Sequence, residues 1–322
     1  MAQLHWHKSR LVTLGPKIEA LPDNHPSKAQ CLCNLSVLFT SVGNVVEQKR
    51  LLNHALKLWR GQGDDSNAAQ ALSHLSDANQ RMGLYEEGIK QAEEASRVFE
   101  WLGHPVHQAE CLVKLAWLLL RKERLDEAEE MAFHAIDLLP EEGGQICTCN
   151  CHRVLGAIYQ RKGEMEKAVH YFEIALGIAF TLNRAKNLFW VHFNLADLFS
   201  QRGKFCDAQT HIERAKSFAA NNTYLSALAS VLQARLWYEQ DTFGEARSEV
   251  LASLGVLEKL HQQNRQLLWR CGGFFHSQPC FFNLLWGCAT VGILHATVVL
   301  WGSPGSGASR HCGAVRLSAP CG

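Results

Sequence analysis

An excess of charge of either sign is missing from this chain of 322 residues: 32 Lys and Arg stand against 31 Asp and Glu, a net charge of +1. No global field therefore draws it to nucleic acid or to an anionic membrane, and no nucleic-acid partner is expected. The opening stretch, MAQLHWHKSRLVTLG, lacks an apolar run followed by a cleavage site, so no secretory leader is expected. Its 12 cysteines then read as reduced thiols in a cytoplasmic setting. The GxSxG elbow, the GxxxxGK phosphate loop and the HExxH zinc motif are all absent, and GSPGSG (302–307) has the glycines of a phosphate loop without its lysine. Neither catalysis nor a cofactor is expected.

What the sequence does have is a period. Gly43 and Gly83 lie 40 apart, as do Gly163 and Gly203, and Glu123 fills the slot between them; a sixth, shorter unit puts Asp241 there. Eight residues before the slot sits a leucine: Leu35, Leu75, Leu115, Leu155, Leu195. A small residue follows each: Ser36, Ser76, Ala116, Gly156, Ala196. Three further on comes a bulky residue in most units: Phe39, Leu119, Tyr159, Phe199 and, in the sixth, Trp237. That spacing is one face of a helix. After the slot, small residues recur at Gly88, Ala128, Ala168, Ala208 and Ala246, and at Ala55, Ala95, Ala135, Ala175 and Ala215, where a second helix packs closely on the first. Arg or Lys before the slot suits a helix C-terminus, glycine in it suits the left-handed cap, and Glu86, Asp126, Glu127, Glu166 and Asp207 suit the next N-terminus.

The repeated leucine–small pair, the recurring alanines and Pro140 at the end of the third unit resemble the tetratricopeptide repeat. The unit is longer than that family's 34 residues, and its early tryptophan position carries Leu32, Leu72, Leu112, His152 and His192. Longer units of this kind resemble kinesin light chain, the sensor arrays of signal-transducing NTPases, and the tetratricopeptide tails of fungal NB-ARC or NACHT proteins. The resemblance implies an all-α fold, a right-handed α-solenoid of antiparallel helix pairs. Three regions follow: an N-terminal helix at 1–25, a partial repeat or a cap; an array of about six helix pairs at 26–262; and a low-charge tail rich in Cys, Gly and Trp at 263–322.

The expected function is a non-catalytic scaffold or sensor module that binds a peptide or partner domain in its concave groove. Stacked units place first helices along that groove. One slot before the leucine carries Asn34, His74, Lys114, Val154 and Asn194. In the kinesin-light-chain-like subfamily an Asn there clamps the backbone of an extended peptide, which implies partner-binding roles for Asn34 and Asn194, with His74 and Lys114 beside them; the alternative is a helix-surface Asn. Arg81, Arg121 and Arg161 recur at the ends of successive first helices. They read either as a rail for acidic or phosphate groups or as complements to the helix dipole.

CTCNCH (147–152) offers zinc-type ligands, but no second CxxC pair accompanies it and no metal is expected. From Cys271 to Gly322 the only charged residues are Arg310 and Arg316, and 281–301 has none. At about 1.5 Å per residue that stretch is about as long as a bilayer core is thick. Three readings of the tail stay open: a membrane anchor, which makes the protein a tail-anchored adaptor; a packed end-cap; or a translated non-coding stretch. A regulatory fragment of a STAND-type NTPase is a further alternative for the whole chain.

Overall fold

A computed structural model describes residues 14–41, 44–140, 143–219 and 222–253. Gly43, the tail readings at 263–322 and the stretch 281–301 lie outside them. The described residues form helices joined by short turns, with no strand among them. A short helix, α1 (14–19), precedes α2 (Lys28–Ser41), α3 (Val45–Gln62), α4 (Asp65–Met82), α5 (Tyr85–Trp101), α6 (Pro105–Arg121) and α7 (Leu125–Asp137). Then come α8 (Gln145–Lys162), α9 (Met165–Thr181), α10 (Ala185–Gln201), α11 (Phe205–Ala219), α12 (Thr223–Glu239) and α13 (243–253).

From α2 to α12 each helix packs on the next in sequence; beyond that, α4, α6, α8, α10 and α12 touch one another in series. This is a stack of hairpins in which the first helix of each pair lies against the first helix of the next, the all-α solenoid that the period implies. No described helix is long and apolar enough to cross a membrane.

The repeated positions explain the pairing. All five slot leucines from Leu35 to Leu195 are buried, and so are the small residues after them and both alanine series. Residue sizes compensate across each hairpin. Gly156 faces the ring of Phe172, where an added Cβ would lie 2.6 Å from two ring carbons. Phe172 is itself fully buried. One unit thus puts its bulk on the second helix and its void on the first.

The turns explain the period. Gly83, Gly163 and Gly203 adopt positive φ, as the left-handed cap requires, and Glu123 and Asp241 take the same conformation without being glycine. A second left-handed series recurs at the same interval of 40: Gly63, Gly103, Gly143 and Asn183, which lie between one hairpin and the next. The first series reverses the chain within a unit and the second reverses it between units. At the helix starts, Asn44, Asp64 and Asn222 side chains accept hydrogen bonds from the backbone N–H groups of Glu47, Asn67 and Leu225.

Candidate interaction groove

Two sets of charged residues occupy different parts of the array. The first runs along the turn edge. Lys122 pairs with Glu86 at 2.8 Å, Lys162 with Asp126 and Glu129, Arg161 with Glu123, and Arg202 with Glu166 at 3.1 Å. Each cation closes a first helix, or the turn after it, and each acid belongs to the preceding unit, at its turn or in its second helix. The edge is therefore a ladder of ion pairs that ties unit to unit, partly exposed and modest in energy. Of the three arginines expected to form a rail, Arg161 lies in this ladder. Arg121 is exposed with no ion pair among the described residues, and Arg81 reaches back to Gln48 Oε1 at 3.4 Å.

The second set lies between the first helices. Lys114 on α6 donates to Ser73 Oγ at 2.7 Å and to the Ser73 carbonyl at 3.2 Å, and pairs with Asp77 at 3.0 Å, all on α4. Burial pulls its ammonium down, but Asp77 and the Cys111 thiol outweigh burial and leave it above its ordinary value. His74, one helical position from Ser73, is held below the usual imidazole range by burial and then by the Lys114 charge, with Asp77 opposing. The slot carrying Lys114 and His74 is thus the seam between successive first helices. In α8 the same slot holds Val154, which is fully buried. The two asparagines stand apart from this pair: Asn34 is exposed on α2 and accepts from Gln30 Nε2 at 3.0 Å, while Asn194 on α10 is half-buried, its Nδ2 without a hydrogen-bond partner among the described residues. The structure brings His74 and Lys114 together and leaves Asn34 and Asn194 at separate sites.

Next to that seam is a group that the slot pattern missed. The Arg153 guanidinium lies 4.9 Å from the ring centroid of Trp117 on α6 and 5.7 Å from that of Trp190 on α10. Its nearest polar partner is Asn150 Oδ1 on its own helix, at 3.5 Å. No carboxylate pairs with it among the described residues, and burial lowers its pKa to about 10, with Cys149 opposing. Lys186 on α10 is exposed in area, yet burial lowers its ammonium, Asp77 opposes, and Arg81, Arg153 and Lys114 lower it further. Residues of α6, α8 and α10 thus meet where successive first helices touch.

A signal for this group exists in the sequence, but it runs obliquely. From Arg81 through Trp117 and Arg153 to Trp190, each step to the next unit also moves toward the N-terminus of its helix, about one turn at a time. Comparing residues at a fixed slot passes over such a line.

The cysteines of CTCNCH are buried in α8. Burial of Cys151 and its contact with Cys147 raise its thiol, the contact foremost, while Cys149 Sγ turns to the Ala175 carbonyl of α9 at 3.4 Å. Among the described residues no three His, Cys, Asp or Glu side chains converge as a metal site would require.

Comparison with known proteins agrees with this architecture. Two tetratricopeptide repeat models match, at residues 67–141 and 152–186. The transcriptional activator NprA of Geobacillus stearothermophilus is 24% identical over 146 residues, 45% of this chain and 36% of the relative. The match thus spans about a third of that relative's length. Among solved structures, a Rap protein complexed with Competence and Sporulation Factor aligns over 84% of this chain and 74% of its own, with a TM-score of 0.63 and 13% identity. The apo form of RapI aligns over 79% and 91%, with a TM-score of 0.62 and 13% identity. The serial helix pairs, the buried repeat positions and the two matched stretches together show that this chain carries tetratricopeptide repeats.

Proposed function

We propose that the protein is a non-catalytic interaction scaffold that holds a peptide or a segment of a partner protein in the groove walled by α4, α6, α8 and α10. The observation that carries this reading is the Arg153 guanidinium over the rings of Trp117 and Trp190, which brings side chains of three successive first helices, α6, α8 and α10, together. An extended chain running along the stack meets a new first helix with every unit, so one peptide gathers contacts from several units. The likeness in fold to a Rap protein complexed with Competence and Sporulation Factor supports the same reading, because that protein uses a similar array while bound to another molecule.

Site-specific photo-crosslinking tests it. A crosslinking residue is placed at Lys186 in the groove or at Arg97, exposed on α5. The full chain is then irradiated in extract of its source cells. A discrete adduct from position 186 with none from 97 is expected; adducts from 97 alone, or from neither, overturn the groove.

A further inference from the structure

We infer that residues 14–27 form a strap across the first hairpin, able to open while the rest of the array stays folded, and that the Lys28 ammonium is its lock.

The strap rests on the array at few points. Only Gly15 of its residues is buried, and an added Cβ there would lie 3.9 Å from Leu35 Cδ2, so α1 lies against α2. Ile18 packs on the apolar cluster that includes Leu32, Leu35 and Leu51. Pro16, Lys17, Glu19, Ala20 and residues 22–24 are exposed. A segment with so little apolar burial opens at a lower free energy than the helices beneath it.

One cation makes up for the missing apolar contact. Lys28, the first residue of α2, is 3% exposed. Its ammonium donates to the Glu19 carbonyl at 3.2 Å, to the Leu21 carbonyl, and to Asp23 Oδ1 at 2.7 Å. An ammonium has three N–H groups, and here all three go to the strap. Two of the acceptors are carbonyls at the end of α1, the negative pole of that helix, where acceptors lack partners within the helix. Lys28 stands at the opposite pole of its own helix, where a cation is unfavourable, and α2 has no acid in its first turn. Nothing in α2 therefore accounts for a buried ammonium at this position; the strap does. Two outer contacts flank the lock: the Glu19 carboxylate pairs with Arg50 of α3, and Asp23 Oδ1 lies 3.3 Å from His54 Nε2. Both are partly exposed and modest in energy.

The lock has two arrangements. Closed, the ammonium is dry and fully bonded. Open, it returns to water and the end of α1 loses its cap. Such a contact is made or lost as a whole, which lets the strap lift without disturbing the hairpins behind it.

Hydrogen exchange of the full chain, followed by mass spectrometry, tests this. The reporters are the amides of Ala20, Leu21 and His25, which donate within the strap to the carbonyls of Pro16, Ile18 and Pro22. In the unaltered chain they are expected to exchange faster than the amides of α4 to α10. K28M is expected to speed them about tenfold further, with α4 to α10 unchanged. D23N, at an exposed carboxylate, is expected to speed them about threefold, and K57Q, at an exposed site on α3, to leave them as they were. D23N alters no buried side chain and keeps the test valid should K28M fail to fold. Strap exchange unmoved by K28M, or by D23N should K28M not fold, overturns the lock. Equal acceleration of the strap and of α4 to α10 overturns the separate opening.

Discussion

Cations at the turn edge and cations between the first helices are the same residue types in opposite surroundings. At the edge, Lys122, Lys162, Arg161 and Arg202 each meet an acid of the unit before, and the charges serve the stacking. Inside, Arg153 rests on tryptophan, and Lys186 feels Asp77 without forming an ion pair with it. The edge is satisfied and local in its logic, and the interior holds charge in reserve. A repeat protein thus keeps its stabilising charges apart from those available to a partner. Stability measurements should separate the two regions.

The largest expected effect is a pH effect in the interior. His192 is buried, its Nδ1 2.9 Å from that of His211, so the pair accommodates one N–H between those two atoms. Burial first, then the charges of His211 and Arg214, lower its pKa to about 4, while the unfolded imidazole titrates near 6.5. The fold accepts the neutral ring, so this contribution is complete above pH 6.5 and is lost as pH falls toward 4. Between pH 7 and 5 the chain should lose about 2 kcal/mol on this account. His192→Phe, placed on the ring of Phe218, should flatten that part of the profile in denaturant melts at the two pH values.

Arg153→Met comes next, with the opposite sign. Removing a half-buried cation that has no carboxylate pair among the described residues should raise stability by about 1 kcal/mol. A loss of stability would show that the two indoles more than offset the dehydration of the guanidinium.

At the edge, Lys162→Met should cost about 1 kcal/mol, because Lys162 serves both Asp126 and Glu129 and leaves the latter with only the Tyr159 hydroxyl. The cost should shrink in high salt. Glu123→Gly should add about 0.5 kcal/mol. It relieves a left-handed side chain at φ 58° and gives up only an exposed pair with Arg161. Arg161→Met, which loses that pair and nothing else, should fall within about 0.5 kcal/mol of the parent.

The sequence made much of the fold legible because the fold is local. The leucine slot, the small residue after it and the left-handed turn are each set by neighbours within a few positions, and they survive even where Glu123 or Asp241 replaces glycine. The second turn series at Gly63, Gly103, Gly143 and Asn183 is equally local, but it falls midway between the slots that the leucine register marks. The groove was less legible. Lys114 and His74 share a slot, but Trp117, Arg153 and Trp190 occupy different slots of successive first helices, so their meeting depends on how the units stack and no fixed spacing encodes it.

The two interleaved series of left-handed residues have a consequence for how such a chain can change in length. Cutting at Gly103 and rejoining at Gly143 would splice one inter-hairpin bend onto another of the same hand, keeping every later helix in frame. A cut of any other size would rotate the downstream wall and scatter the tryptophan–arginine sandwich. Gain or loss of whole periods is the edit this architecture tolerates, and each one would lengthen or shorten the surface on offer by a single step.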